Sequence, residues 1–426
     1  MTGGGEVGVA VAVRVRGHWR ALTSTSPSTA SSSTFHAMDR ADVAPPPRLE
    51  TAALYVATVA CYSDMYITQP VLPTLSREFG ISPSQAGLSI SAVVVGIAVA
   101  SSFYGPLSDA LGRKRIMVGA SLLLVVPTAL CALARSFGAL LAMRVAQGIL
   151  IPGVTAVTVA YAGDRFDRGR LPAVVGGIIA ASVMGGLLGR VLGGSVASVA
   201  GWRSSFVLFA AVTLGSTLLL ARGLSAVRST ERVGWARAYG GMLQHFADRR
   251  LVGAFLIGTT LFFGFMGIFT YLPYHLVEAP HRLGTAQVSS VYVVYLAGVV
   301  VSPIAGRVSA RISPRLVMAV GLVVAMAGML GTLLHPLWSI ASGLVVLCLG
   351  MFTAQAVAPS FVNTSAPTAK GGANALYLMF YYVGGTLGSW LPGLAWQAWR
   401  WPGVVAVCVA SLVAALLADV LLCGGR

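Results

Sequence analysis

Gly105-Pro106-Leu107-Ser108-Asp109-Ala110-Leu111-Gly112-Arg113-Lys114-Arg115 is a short polar stretch set between two long apolar runs. One run ends near Tyr104 and the next starts at Ile116. Three adjacent cations cannot lie in hydrocarbon, so the stretch is a hinge at a membrane face. Gly105 and Gly112 permit a tight turn or a close backbone approach. Asp109 and Arg113 are four apart and pair if the helix continues that far.

Outward from this hinge the chain has the composition of a membrane protein. Its 426 residues are 56% hydrophobic and 10% charged, and the mean hydropathy is +0.80. Soluble proteins carry roughly 25% charged residues. In lipid every backbone polar group must be satisfied internally, which leaves a helix bundle or a closed barrel. Continuous apolar runs, without strand-like alternation, select helices. Twelve such runs lie at approximately 50–73, 86–107, 116–135, 139–162, 172–197, 205–223, 251–275, 287–309, 315–334, 339–362, 372–393 and 402–423. Each is about long enough for a hydrocarbon core of ~30 Å.

The expected organisation is a disordered tail over 1–48, six-helix bundles over 49–224 and 251–426, and a cytoplasmic linker over 225–250 with room for an amphipathic surface helix. The tail is rich in Gly, Ser, Thr, Arg and Pro and cannot bury a core. Its apolar run Val7–Val13 is too short to span and has no adjacent cleavage signal, and Met38 offers a second start.

The net charge of +16 raises nucleic acid as a partner, but the placement of the cations argues against it. Five of the 29 Lys and Arg (Arg77, Arg135, Arg203, Arg282, Arg400) fall in one set of loops, and Arg144 and Arg190 fall inside segments. All the rest lie in the tails and the opposite loops, an asymmetry that places those loops and both termini in the cytoplasm. Six of the eight tryptophans sit near the other ends of segments, where indoles favour the interface.

The two halves repeat. Gly105-Pro106-Leu107-Ser108 is echoed by Gly306-Arg307-Val308-Ser309, and Val71-Leu72-Pro73 by Tyr271-Leu272-Pro273. Gly185-Gly186-x-x-Gly189 is echoed by Gly384-Gly385-x-x-Gly388. The three offsets are nearly equal, which fits an internal duplication.

No P-loop, HExxH or GxSxG is present, the histidines lack ligand spacing, and the five cysteines are scattered in apolar runs. The reading is therefore not an enzyme, with no metal and no cofactor.

The pattern G-x-L-x-D-x-x-G-R-K/R over Gly105–Arg115 resembles the signature loop between helices 2 and 3 of the major facilitator superfamily, a large class of secondary transporters. The resemblance extends over residues 50–424 and implies twelve helices in two pseudo-symmetric six-helix bundles, an all-α membrane fold. Three further stretches carry it. Asp64, with an Asp-x8-Pro spacing to Pro73, resembles the first-helix motif of proton-coupled exporters. Arg144-Val145-Ala146-Gln147-Gly148 resembles the fourth-helix motif R-x-x-Q-G, which is tied to proton transfer in the family. Gly176-x8-Gly185-x3-Gly189-Arg190-x2-Gly193-Gly194 resembles the fifth-helix antiporter motif at every glycine. It departs at Arg190, where the family has proline.

Ionisable residues inside the membrane are functional suspects. Asp64 in a partly dry cavity can load and release a proton, against the alternative of a packing Asp bonded to a hydroxyl. The resemblance puts helices 1 and 4 on one cavity, so Arg144 and Asp64 are expected to be counter-ions in proton coupling. Gly185, Gly189, Gly193 and Gly194 make a smooth face for close packing, expected against the other half, and Arg190 is free to meet an anionic substrate group or an acid. Gly105, Asp109, Gly112 and Arg113 are expected to gate, with Asp109 near the start of helix 11 latching the halves. Tyr66, Gln69, Gln147, Phe265, Asn374, Tyr377 and Tyr381 are the candidate cavity lining, joined by Tyr62, Phe262, Tyr271, Phe380 and Tyr382.

The function expected is proton-coupled export of a small organic molecule by alternating access, in a monomer of the bacterial inner membrane. The partners are substrate, protons and lipid, with no nucleic acid. Two alternatives stand beside it: a uniporter or uptake carrier without proton antiport, and a membrane sensor or partner protein that does not transport.

Overall fold

The computed structural model describes residues 13–15, 18–20, 48–225, 243–366 and 370–423. Most of the expected tail and the linker core at 226–242 lie outside the described residues. Near the N-terminus, β1 (Val13–Val15) and β2 (His18–Arg20) pair antiparallel, with Arg14 opposite Trp19. They belong to a unit ending at Pro45, distinct from the helical body that begins at Pro46.

In the first half of the body the helices are α1 (Arg48–Tyr66), α2 (Leu72–Phe79), α3 (Pro83–Leu111), α4 (Arg113–Ala132), α5 (Phe137–Leu150), α6 (Pro152–Arg165), α7 (Leu171–Ala200) and α8 (Trp202–Gly223). The second half has α9 (Arg249–Val277), α10 (Thr285–Val291), α11 (Leu296–Ser309), α12 (Pro314–Gly331), α13 (Leu337–Ser365), α14 (Lys370–Trp390) and α15 (Pro392–Leu422). Helices α5 with α6, and α10 with α11, are single rods with a local break. Among the described residues ten rods are long and apolar enough to cross a membrane; α1 and α14 fall outside that set. Both nevertheless pack inside the bundle, α1 on α7 and α8, α14 on α9.

Boundaries follow local chemistry. Helix α3 begins at a capping box, in which Ser82 and Gln85 satisfy each other's backbone N–H groups, with Pro83 at the first helical position. It ends at Gly112, whose φ of +93° is a conformation that side-chain-bearing residues rarely adopt. Helix α15 is two helices merged across a kink at Trp399 and Arg400, the latter with φ +51°. The expected boundary near 402 therefore holds for the second part, while 392–398 is an additional short helix at the end of the bundle.

Outer faces are apolar, as lipid contact requires: on α4, Leu122, Leu123, Val126 and Leu130 are exposed along one side. Of the tryptophans expected at the interface, Trp338, Trp390 and Trp399 are exposed. Trp202, Trp396 and Trp401 are instead buried, because each finds an interior partner: Trp202 donates to Glu78 and Trp401 to Thr332, while Trp396 packs near Tyr274.

Alternation of the rods puts the α3–α4 hinge, the start of α7 and the end of α11 at one end of the body, the basic end. The halves are joined at the other, far end. There Ser91 Oγ donates to Thr386 O (2.7 Å), Ser84 Oγ donates to Trp390 O (3.2 Å), and the Ser76 and Tyr274 hydroxyls share a hydrogen bond (2.6 Å). Gly87 lies so close to the Ser389 carbonyl that a Cβ would sit 2.1 Å from it.

Candidate functional site

Helix α1 stops at Tyr66, and Pro70 cannot donate the N–H that would continue it. The last carbonyls of α1 therefore need other donors. Arg144 on α5 supplies them: Nη1 donates to Asp64 O (2.7 Å) and Nη2 to Met65 O (2.6 Å). Its Nε donates to Ser89 O of α3 (2.9 Å), and Nη1 also meets Gln147 Oε1 (2.8 Å). Gln147 in turn donates to Thr128 of α4 (2.7 Å). Arg144 is fully buried, so it does not snorkel.

This corrects the expected ion pair. Arg144 grips the backbone carbonyl of Asp64, and among the described residues no ion pair joins the two side chains. The negative end of the α1 dipole and four oxygen acceptors stabilise the guanidinium there. The Asp64 carboxylate turns to α8, where Thr213 Oγ1 donates to Oδ2 (2.9 Å). Its other oxygen, Oδ1, is buried and has no hydrogen-bond partner among the described residues. Thr213 was not legible as a site residue, since a threonine in an apolar run gives no signal of its own. Gln147, expected in the cavity lining, is instead a buried strut of the Arg144 cluster.

The glycines of α7 form the second element. A Cβ on Gly185 would lie 2.5 Å from Val59 O, and one on Gly189 would lie 2.4 Å from Ser63 O. Gly193 meets Ile67. Val59 and Ser63 on α1 and Ile67 just beyond its end are spaced by four, a ridge seated in a glycine groove. The expected packing against the other half is met at Gly194, which abuts Ser289, whereas Gly185 and Gly189 pack against α1 of the same half. Gly176 faces open space. The duplication repeats this joint, with Gly384 against Thr259 O and Gly388 against Phe263 O between α14 and α9.

Arg190 sits on the same helix, fully buried. Nε donates to Gln69 Oε1 (2.5 Å) and Nη1 to Gly186 O (2.6 Å). The guanidinium carbon lies 3.7 Å from the ring centroid of Tyr66 and 4.4 Å from that of Tyr295. It borders a 170 Å³ cavity at the junction of the halves, lined also by Tyr66, Phe265, Tyr295, Phe352 and Tyr381. A larger cavity of 560 Å³ lies toward the basic end, between α7, α11, α13 and α14, and Tyr377 lines it. The two share Ser182, Val183, Phe352, Gln355, Leu378 and Tyr381. Tyr295, Phe352 and Gln355 were missed in the sequence; the Tyr292/Tyr295 pair inside an apolar run was the available signal.

Other expected lining residues are used elsewhere. Gln69 bridges the halves by donating to Thr270 Oγ1 (3.1 Å) while accepting from Arg190. Tyr271 donates to Ser389 O (2.8 Å) at the far end, and Asn374 donates to Asn363 Oδ1 (2.6 Å). Phe380 stacks on Phe255.

At the basic end Arg113 pairs with Asp109 (3.0 Å), as the i, i+4 spacing indicated, and also with Asp164 at the end of α6. It further donates to Ser108 Oγ (3.2 Å). Gly112 provides the turn; Gly105 lies within α3, and a Cβ there would meet nothing within 4 Å, so the expected turn or close approach at Gly105 is absent.

The chain as a whole is similar to known proteins. The family model of the Major Facilitator Superfamily matches residues 54–352 and 281–423. The inner membrane transport protein YnfM of Escherichia coli K12 is 33% identical over 369 residues, covering 86% of this chain and 88% of its own length. The uncharacterised MFS-type transporter YybF of Bacillus subtilis 168 is 29% identical over 371 residues, covering 86% and 91%. Among solved structures, a bacterial homologue of the human lysosomal transporter Spinster, inward-facing and unoccupied, superposes with a TM-score of 0.75 at 16% identity, over 88% of this chain and 96% of that one. The nucleoside transporter NupG, solved as a point mutant, gives 0.72 at 11% identity, over 88% and 99%. With its hinge loop, its duplicated six-helix halves and a family match spanning nearly the whole helical body, this chain belongs to the Major Facilitator Superfamily.

Proposed function

We propose that this protein exports a small organic molecule in exchange for protons, working as a monomer in the bacterial cytoplasmic membrane with both termini inside. The observation that carries the reading is Asp64: a buried carboxylate in a membrane helix with one oxygen bonded to Thr213, the Thr128 hydroxyl beside it, and Oδ1 without a regular hydrogen bond. A buried carboxylate held only by hydroxyls has an oxygen left to take a proton, and intramembrane carboxylates of this kind mark proton paths. Arg144 is spent on backbone carbonyls, so it tunes Asp64 without neutralising it.

Coupling has a physical route. Tyr66 and Asp64 are two residues apart at the C-terminus of α1; Tyr66 faces the cavity and Asp64 faces α8. Loading a proton on Asp64 changes the hydrogen bond to Thr213, and substrate in the cavity presses on Tyr66. Both act on one helix end that is held at the α7 groove. With the basic end in the cytoplasm, the far-end contacts close the outside and the larger cavity faces inward. Gly112, with Gly105 and Asp109 in the last turns of α3 before it and Arg113 at the start of α4 after it, forms the hinge that latches the basic end in the opposite state. The glycine motif in α7 favours export over the uptake alternative.

The test is reconstitution. Proteoliposomes with an internal pH dye should show proton movement on addition of a transported solute. Solute flux with no proton movement would leave a facilitator.

A further inference from the structure

Arg190 is a buried cation with an incomplete set of partners. Among the described residues no carboxylate lies within ion-pair distance of it. Two nitrogens are used, by Gln69 and by the carbonyl of Gly186. The third, Nη2, is buried and has no hydrogen-bond partner among the described residues. A buried charge left unpaired is costly, so a site that keeps one has a use for it. The aromatic faces of Tyr66 and Tyr295 stabilise the cation in part, and the Tyr66 side chain stands within hydrogen-bonding reach of the guanidinium.

A second donor converges on the same space. The hydroxyl of Tyr295 is also buried and unpartnered among the described residues, and Tyr295 lines the same cavity as Arg190. Two idle donors, one of them charged, suit an oxyanion with two oxygens. Around them the cavity is aromatic, and it shares walls with a larger chamber whose lining is mainly apolar, with Ile179, Val183, Val299, Phe352 and Leu378 among its residues. The glycine at position 186 matters here, because a Cβ there would lie 3.1 Å from Nη1 and crowd the guanidinium.

Resting on the reading of this cavity as the substrate site, we propose that the transported molecule is an amphipathic organic anion: its carboxylate or equivalent oxyanion docks on Arg190 Nη2 and the Tyr295 hydroxyl, and its apolar body extends into the larger chamber. Arg190 is then the specificity-determining residue, and it stands where the family motif has a proline that can offer no charge. A purely structural Arg190 would instead act only as a brace between α1 and α7.

Equilibrium binding to the purified full chain in lipid nanodiscs separates these. The probes are benzoate, 1-naphthoate and 4-phenylbutyrate, each against its own amide. At least one acid is expected to bind about tenfold or more tightly than its amide, since the charge-assisted hydrogen bonds are lost in the amide. Arg190→Gln should bring that ratio close to one, and Arg190→Lys should keep part of it. Tyr295→Phe, which retains the ring over the guanidinium, should weaken the acid several-fold and leave the amide unchanged; it serves if Arg190→Gln does not fold. No acid binding more tightly than its amide, or a preference that survives Arg190→Gln or is untouched by Tyr295→Phe, overturns the inference. Acid-selective binding with no proton exchange in vesicles would preserve it while sinking the antiport reading, and proton exchange driven equally by amides would do the reverse.

Discussion

Arg144 and Asp64 meet through the backbone: Nη1 of Arg144 lies 2.7 Å from the carbonyl oxygen of Asp64, while the Asp64 carboxylate is bonded to Thr213 on a different helix. Two functions that a salt bridge would fuse are thereby separated. Arg144 closes the open end of α1, and the Asp64 carboxylate is left for its proposed proton role.

That separation makes Arg144 a poor candidate for conservative replacement. Lysine keeps the charge but carries its donors on a single nitrogen and cannot reach Ser89 O, Asp64 O and Met65 O together. Arg144→Lys and Arg144→Gln should both lower thermal stability, at a cost of about 1–3 kcal/mol for each carbonyl left bare. Melting of the purified variants reads this directly. An Arg144→Lys protein as stable as the wild type would show that charge alone matters there.

The glycine motif should divide sharply by position. Gly185→Ala and Gly189→Ala force a methyl against Val59 O or Ser63 O and should destabilise by about 1–3 kcal/mol, separating α1 from α7. Gly176→Ala, in the same motif but facing open space, should be neutral. The hinge shows the same contrast. Gly112→Ala is strained at φ +93° by about 1–2 kcal/mol, whereas Gly105→Ala should be tolerated or slightly stabilising, as a helix interior prefers alanine by roughly 0.5–1 kcal/mol. Expression and melting temperature of these variants decide it.

Much of this was legible in the residues, and the omissions have physical causes. Hydropathy located the rods because lipid imposes length and apolarity on each one separately. Glycine spacing announced a close approach, but spacing lies on one helix and cannot name its partner; Val59 and Ser63 of α1, with Ile67 just past its end, supply it. The acceptors of Arg144 were hidden because they are carbonyls, which every residue has. Only Pro70, just past Tyr66, hinted that those carbonyls would be short of donors. Asp164 as a partner of Arg113 lies 51 residues away, beyond any local rule. Aromatic type marked the cavity well at Tyr66, Phe265 and Tyr381 and failed for Tyr271, whose hydroxyl found a backbone carbonyl at the far-end seam.

Acid should loosen the far end in two steps. Burial and the nearby His335 hold His281 below its ordinary value of 6.5. The folded state thus resists a proton that the unfolded chain takes up, so stability is complete above 6.5 and declines as pH falls through it. Burial pushes the Glu78 carboxyl up, but hydrogen bonds from Trp202 and Arg203 outweigh it and hold it below its ordinary 4.5. Its contribution is present above 4.5 and is lost as pH falls through the lower folded value. Melting temperature followed from about pH 7 downward should decline in both windows. Glu78→Gln should shrink the lower step and His281→Asn the upper, without abolishing the upper, since other groups share that window; a wild-type curve flat through both would contradict the assignment.

The most direct test of proton coupling is Asp64→Asn in proteoliposomes carrying an internal pH dye, with the best-binding organic acid as substrate. Asparagine can still accept the Thr213 hydrogen bond, so the protein is expected to fold, melt near the wild-type temperature and bind the acid. Substrate-dependent proton movement, present in the wild type, should vanish. Proton movement that continues unaltered in Asp64→Asn would contradict the assignment of Asp64 as the proton carrier.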